Sequence, residues 1–383
     1  MLTRSGKAVQ LVIAIAVAGT LAACTTLTPA PPGISKRVSW SALPGWQDDD
    51  HAAAWIALLE SCERLSARDD SWQAICRDAE VVGVPDDQTA RAFFETRFVP
   101  HRVVGERGQR KGLITGYYEP LLDGSLVQTE RFRYPLYRRP ANLLTIDLGT
   151  VYPELQGRPV RGRLQGMRVV PYYSRAEIDN STSPLSGHEI AWVDDPVDLF
   201  FLHVQGSGRI RLQDGETLAV GYADQNGHPY ISIGRRLLQM AELEQEEVNL
   251  DSIRNWLAAH PDALENLLNS NPSYIFFAVR DSALPGPLGS LRVPLTAERS
   301  LAVDPRYVPL GSPVWLDTTL PDERERYRRL MFAQDTGGAI KGPLRADVFF
   351  GQGREAERLA GRMKQTGRLF VLLPAQRERA GFR

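Results

Sequence analysis

Apolar positions along this chain change period several times, and each change predicts an element. Between residues 51 and 79, Trp55, Leu58, Leu59, Cys62, Leu65, Trp72, Ile75 and Cys76 recur at three- and four-residue spacing. That is the period of one helix face. Asp86 and Asp87 stand where a cap is needed for a second helix over 88–97, which carries Phe93 and Phe94. From Lys111 the texture turns to short β-like runs broken by Gly, Pro and Asp. They cover 112–118, 134–137, 200–204 and 208–212, and the last meets Asp214-Gly215, a hairpin signal, before 217–222. A helical block returns from Ile233 to about Asn269, with Pro261 restarting a short helix inside it. After Asn271-Pro272, strands are expected at 274–279, 291–294, 313–316, 330–334 and 346–350. A helix over 355–364 and a strand over 369–373 follow.

Composition narrows the class. The 383 residues suffice for two domains, and 32 Gly and 26 Pro punctuating apolar runs favour β-rich barrels over a helical bundle. A formal net charge of −1 makes no electrostatic case for nucleic acid. The six His are scattered without metal-ligand spacing, so neither metal nor cofactor is expected. The string from Gly351 to Ala356 fits G-x-G-x-x-A, a weak dinucleotide signal. Only one strand follows it, and no acid stands about 20 residues on to hold a ribose. A tight strand-to-helix turn is the better reading. Ser207 lacks the G-x-S-x-G elbow, which argues against a serine hydrolase.

The first residues read as a targeting signal. Arg4 and Lys7 precede an apolar stretch over 8–23 that ends in Leu21-Ala22-Ala23-Cys24. This resembles a lipobox, implying a signal peptide over 1–23 and lipidation of Cys24. Thr25 after the Cys resembles the sorting pattern of outer-membrane lipoproteins. Residues 24–39 read as a tether rich in Thr and Pro. Cys62 and Cys76 admit two readings, a disulfide in an oxidising compartment or buried free thiols on helices.

Three acids, Asp304, Asp335 and Asp347, each adjoin a β-like run and turn residues. Asp347 enters the apolar run Val348-Phe349-Phe350, where partial desolvation would raise its pKa and favour the protonated acid. Glycosidic cleavage needs such an acid, because the leaving oxygen must be protonated. Asp beside Gly is also a common turn cap, so the acids alone do not decide. In Thr115-Gly116-Tyr117-Tyr118-Glu119-Pro120, paired Tyr beside Glu suits sugar stacking, though core aromatics at a strand end fit as well. Gln205 and Ser207, in the string from His203 to Gly208, can hydrogen-bond a polar ligand.

Taken in order, these strings resemble one family. Added to them are Gly227-His228-Pro229-Tyr230, Asn271-Pro272-Ser273-Tyr274 and Asp304-Pro305-Arg306-Tyr307. They end with Asp335 to Gly342 and Ala346-Asp347. The sequence resembles the membrane-bound lytic murein transglycosylase A family from about residue 100 to about residue 375. The resemblance implies a mainly β protein with some peripheral helices. A "3D" domain with a double-psi β-barrel would be discontinuous, formed by 40–118 and 272–383. A β-barrel-like domain over 119–271 would be inserted in it, and a groove between the two would hold the glycan. The family acid falls on Asp347, with Asp335 as its supporting carboxylate. Thr115, Tyr117, Tyr118, Glu119, Gln205 and Ser207 would contact substrate. Asp304 is counted with them, although its turn before Pro305 suits a structural role.

The implied reaction is cleavage of peptidoglycan between N-acetylmuramic acid and N-acetylglucosamine, leaving 1,6-anhydro ends. The implied setting is the periplasmic face of the outer membrane, with a lipid anchor and with cell-wall synthesis or hydrolysis machinery as possible company. Two other functions fit the residues. A muramidase-type hydrolase would use Asp335 to activate water. A non-catalytic, expansin-like glycan binder would share the barrel alone.

Overall fold

Two sheets take up most of the strands, and their membership does not follow chain order. The structure is a computed structural model that describes residues 31–157, 160–244, 248–321 and 325–375. The signal peptide, Cys24 and the start of the tether lie outside the described residues. The sequence assigns 24–39 to a tether, yet β1 (Gly33–Arg37) pairs antiparallel with β2 (Phe98–Val104). Ile34 packs on the core, and the edge of β2 supplies backbone partners that a polar tether would leave unmet.

Between those strands lie α1 (Trp55–Leu65), α2 (Asp70–Val82) and α3 (Asp87–Arg97). Asp69 and Asp86 cap α2 and α3, accepting from the backbone N–H groups of Trp72 and Thr89. The Asp69 cap interrupts the single periodic run expected over 51–79. A disulfide, Cys62–Cys76, joins α1 to α2 with an S–S distance of 2.06 Å. Trp55, Trp72 and Phe94 from these helices pack with Trp315, Leu330 and Phe332 on one face of the larger sheet.

The chain then runs through β3 (Gly112–Glu119) into the inserted half. Its strands are β4 (Leu121–Ser125), β5 (Tyr134–Tyr137), β6 (Leu144–Ile146), β7 (Val160–Gln165) and β8 (Arg168–Val170). They continue as β9 (Glu189–Val193), β10 (Ser207–Arg211), β11 (Thr217–Gln225) and β12 (Ile275–Arg280). The helices here are α4 (Arg175–Ile178), α5 (Pro196–Gln205), α6 (Ile233–Gln239), α7 (Leu250–Ala259) and α8 (Leu264–Asn269). Six of the strands form one sheet in the order β12-β11-β10-β4-β9-β5, and β6-β7-β8 form a small separate one.

Three sequence expectations fail in this region and just beyond it. The run 200–204, expected as a strand, lies inside α5. Asp195 accepts from Val197 and Asp198, Pro196 takes the first helical position, and Gly206 (φ 80°) ends the helix. Five residues, Phe200-Phe201-Leu202-His203-Val204, are too few to carry a period that separates strand from buried helix, so the ends of the run decide. Asn271-Pro272 ends the α8 region but not the inserted half. β12 still pairs with β11, Val279 opposite Val220, so the chain leaves this sheet only after Arg280. Residues 291–294 form a loop, because Arg292 sits at φ 65° and breaks the extended backbone.

The remaining elements are β13 (Ser300–Val303), β14 (Pro313–Thr319), β15 (Arg326–Asp335), β16 (Ala346–Gln352), α9 (Gly353–Arg362) and β17 (Lys364–Pro374). With the first three strands they form a sheet in the order β1-β2-β17-β14-β15-β13-β16-β3. β17 is long enough to pair with β14 through 368–371 and with β3 through 364–367, so the sheet closes on itself. Its interior is filled by Ile114, Leu301, Val303, Val314, Met331, Val348 and Val371. The fold is mainly β with peripheral helices. Gly351 and Gly353, at φ 91° and 87°, make the turn from β16 into α9 that the glycine string suggests.

Candidate active site

The site is built on β13, the short strand between the two that carry the acids. Ala302 has Asp335 of β15 as its register partner on one side and Asp347 of β16 on the other. Asp347 in turn registers with Thr115 of β3. Residues directly opposed on neighbouring strands share a face. Asp335, Ala302, Asp347 and Thr115 therefore form one row across four strands. Strand spacing of about 4.8 Å puts the two aspartate backbones roughly 10 Å apart. Ala302 stands between them in the row, and the Tyr117 hydroxyl, bonded to Asp335, lies near both.

A bulge puts Asp335 in that row. Leu301 registers with Ala333, but Ala302 registers with Asp335, so Gln334 is an extra residue. Without it Asp335 would fall opposite Val303, whose side chain fills the interior of the closed sheet. The extra side chain is held by α1: Gln334 Nε2 donates to Ala57 O at 3.0 Å and to Ser61 Oγ at 2.9 Å. Tyr117, Leu295, Ala302, Ile340 and Phe349 form an apolar cluster on the face carrying the row.

The two carboxyls meet different surroundings. Asp335 Oδ1 accepts from Ser290 N–H and from Ser290 Oγ, each at 2.9 Å, and Oδ2 accepts from the Tyr117 hydroxyl at 3.0 Å. Asp347 Oδ1 accepts from the Thr115 hydroxyl, and among the described residues no donor meets Oδ2. Burial pushes both carboxyls up. At Asp335 this is opposed by donors from Thr336, Ser290 and Tyr117. At Asp347 it is opposed by Thr115 and the Arg345 charge, and reinforced by the Asp335 charge. Donors on both oxygens suit a carboxylate at Asp335, while the open Oδ2 of Asp347 has room for a proton. Burial, more than coupling to Asp335, raises Asp347.

A groove of about 820 Å³ runs beside the row. Asp335, Thr336 and Gly337 form part of one wall, and Gln205, Ser207, Tyr222 and Arg280 of the inserted half form another. Asp347 is not part of the wall; it stands half-buried two strands further along the row.

The other candidates divide. Gln205 and Ser207 line the groove, and Gln205 Oε1 also accepts from Tyr118 N–H at 3.1 Å. Glu119 borders the groove but is buried, accepting from Arg209 Nε at 3.1 Å and from Gln352. The structure does not bring Tyr118 to the groove: its ring packs in the interior cluster, and its hydroxyl donates to Glu357 at 3.1 Å. Nor does it bring Asp304 there. Asp304 is buried, accepting from Arg306 and from Gly342 N–H, and the Arg306 guanidinium holds its carboxyl well below the ordinary range. The Thr115 and Tyr117 hydroxyls are bonded to the aspartates. Ser290, Arg345 and Ala302 carry no signal in sequence. A Ser after Gly, an Arg before Ala and a small apolar residue on a strand have nothing to single them out.

The chain matches the MltA specific insert domain over residues 113–278 and the 3D domain over residues 299–373. It is thus a protein of the two-part MltA architecture. It is 36% identical over 270 residues to membrane-bound lytic murein transglycosylase A of Escherichia coli (strain K12), a match covering 68% of this chain and 65% of that protein. Crystalline MltA from Neisseria gonorrhoeae is 35% identical with a TM-score of 0.78, over 93% of this chain and 97% of that one. E. coli MltA with bound chitohexaose is 27% identical with a TM-score of 0.68, over 90% of this chain and 95% of that one. The chain belongs to the membrane-bound lytic murein transglycosylase A family. No helix among the described residues is long and apolar enough to cross a membrane.

Proposed function

We propose that this protein is a lytic transglycosylase that cleaves the β-1,4 bond between N-acetylmuramic acid and N-acetylglucosamine in peptidoglycan. The observation that carries this reading is the row in which Asp347, with an open oxygen, stands level with a hydrogen-bonded Asp335 beside the groove. Kinship with a protein that holds chitohexaose, a chain of β-1,4-linked amino sugars, supports a glycan in that groove. Gln205, Ser207, Tyr117 and Glu119 border or approach it and would position the sugar. The closed sheet fits a double-psi barrel, formed by residues before 119 and after 280 with the intervening part inserted.

Protonated Asp347 donates to the glycosidic oxygen as the C1–O bond breaks. C1 of the muramic acid gains oxocarbenium character. Its own C6 hydroxyl attacks C1, and the hydroxyl proton passes to the Asp347 carboxylate. The products are a 1,6-anhydro end and a free N-acetylglucosamine end; the acid is regenerated and no water is consumed. One acid suffices because the nucleophile is already part of the substrate. Asp335 stays ionised and, by its charge, helps keep the proton on Asp347. Lipidation of Cys24 would hold the enzyme at the periplasmic face of the outer membrane, beside its substrate and wall-remodelling partners.

Digestion of purified sacculi tests the reaction. Muropeptides lighter by one water than hydrolytic ends are expected. Ordinary reducing ends would make the protein a muramidase, and glycan binding without any release would make it a wall-binding protein.

A further inference from the structure

Arg345 lies within two residues of Asp347 but makes no ion pair with it among the described residues; it reaches Asp347 through Thr115. Arg345 Nη2 donates to Thr115 Oγ1 at 2.7 Å, and Thr115 Oγ1 is hydrogen-bonded to Asp347 Oδ1. Arg345 Nη1 donates to the backbone oxygen of Ala346 at 2.6 Å, which anchors the guanidinium. The side chain is half-buried.

The direction of this chain follows from chemistry. A guanidinium has donors only. The Thr115 oxygen must therefore accept from Arg345, and its single proton is left for Asp347 Oδ1. In a neutral carboxyl the carbonyl oxygen is the better acceptor, so a proton donated to Oδ1 favours Oδ1 as the carbonyl oxygen. The acid proton then belongs on Oδ2.

We propose that Arg345 is a positioning residue that orients the Thr115 hydroxyl toward Asp347 Oδ1, so that Oδ2 is the proton-donating oxygen of the reaction proposed above. This rests on that reading of Asp347. The same relay serves the second half of the cycle. When Asp347 is ionised, the polarised Thr115 hydroxyl stabilises the carboxylate that must take the C6 proton. Without the guanidinium, Thr115 can turn and accept from Asp347, which would draw the acid proton onto the wrong oxygen.

The charged and titratable groups around Asp347 are few. They are Arg345 in the loop just before β16, Tyr117 on β3, Asp335 on β15, and Lys364 of β17, which registers with Thr115. Ala302 of β13 brings none. Arg345 favours the charged form of Asp347. Its removal should therefore raise the pH at which Asp347 loses its proton.

The experiment compares wild type with Arg345→Met, Arg345→Lys, Thr115→Val and Thr115→Ser. Release of anhydro-muropeptides is followed against pH, and pelleting with insoluble peptidoglycan reports folding and binding. Arg345→Met should lower kcat by roughly 10- to 100-fold, the scale of one charge-assisted hydrogen bond, with KM little changed. Its basic limb should move to higher pH. Arg345→Lys should restore the limb and part of kcat. Thr115→Val should lower kcat as Arg345→Met does, and Thr115→Ser, which keeps the hydroxyl, should lose much less than Thr115→Val. If Arg345→Met does not bind glycan, the contrast between Thr115→Val and Thr115→Ser decides. Wild-type kcat and an unmoved pH limb in Arg345→Met, or equal activity in the two Thr115 variants, would overturn the relay while leaving the enzyme reading intact. Absence of anhydro products from wild type would instead remove the reading on which the relay rests.

Discussion

Asp335 and Asp347 share a face of the closed sheet because both register with Ala302, one from each side. Neither register alone would bring them level. The parallel pairing of β13 with β15 achieves it only through the bulge at Gln334, and the antiparallel pairing with β16 supplies the other acid.

Asp347→Asn keeps the shape and loses the proton donor. It should fold and bind insoluble peptidoglycan while its turnover falls about 10²- to 10⁴-fold or more. Asp335→Asn should cost less, because it removes a charge and not the donor. Release of anhydro-muropeptides by each variant is the measurement. If Asp347→Asn turns over normally while Asp335→Asn is dead, the roles are exchanged, and the place of Asp335 in the groove wall would then be the reason.

Ala302 leaves the space in which the two carboxyls approach each other, and it is almost fully buried. Ala302→Val should cost about 1–3 kcal/mol by overpacking. Displacement of either carboxyl should cost on the order of 10²-fold in kcat. Urea unfolding and kcat measured on one preparation separate the two effects; a stable, fully active Ala302→Val would show that the row is not tightly packed.

The Asp347 carboxyl is raised above its ordinary value of 3.8, chiefly by burial. As general acid it must hold its proton, so activity should fall as pH rises through the raised value. The stability sign is the same. A raised folded-state pKa contributes stability below 3.8 that is lost as pH climbs through the folded value. Asp347→Asn should therefore flatten stability over that window, which denaturant midpoints at several pH values will show.

Asp304 behaves in the opposite sense. Hydrogen bonds from Arg306 and Gly342 hold its folded-state pKa below 3.8. Its contribution is present above 3.8 and lost as pH falls toward the folded value. Asp304→Asn should cost about 1.5–3 kcal/mol, the range for a hydrogen bond to a charged group, and should remove part of the acid sensitivity. Thermal melts at neutral and acid pH check it; an unchanged neutral melt would mean that Arg306 and Gly342 lose little.

Cys62 and Cys76 are separated by 14 residues, and their disulfide ties α1 to α2, neither of which lines the groove. Opening a loop of this size should cost about 3 kcal/mol of stability. Cys62→Ser with Cys76→Ser should lower the denaturant midpoint accordingly and leave kcat nearly unchanged below the transition. A midpoint that does not respond to reduction of the wild type would show that the pair contributes nothing.

Most of the strands, the caps and the acids were legible in the sequence because each is a local property. Asp86 caps α3 where a cap was expected, β5 covers residues 134–137 as its apolar run suggested, and Gly351 and Gly353 turn the chain where a nucleotide motif was rejected. The failures share one cause. The run 200–204 reads as strand or helix until Asp195 and Gly206 are seen to bracket it, residues 33–37 become a strand only because β2 offers an edge, and β12 stays in the inserted sheet because β11 pairs with it. The candidate chemistry divides the same way. That Asp335 and Asp347 were acids beside apolar runs could be read one residue at a time. Their common face depends on a one-residue bulge, and the sorting of Tyr117 toward Asp335 from Tyr118 toward Glu357 depends on which side of β3 faces the groove. Ser290 met Asp335 and Arg345 met Asp347 through Thr115 only once segments distant in sequence, the loop around 290 and β3, were folded beside them. Side-chain chemistry is written residue by residue, but facing and proximity belong to strand register, which long-range pairing alone decides.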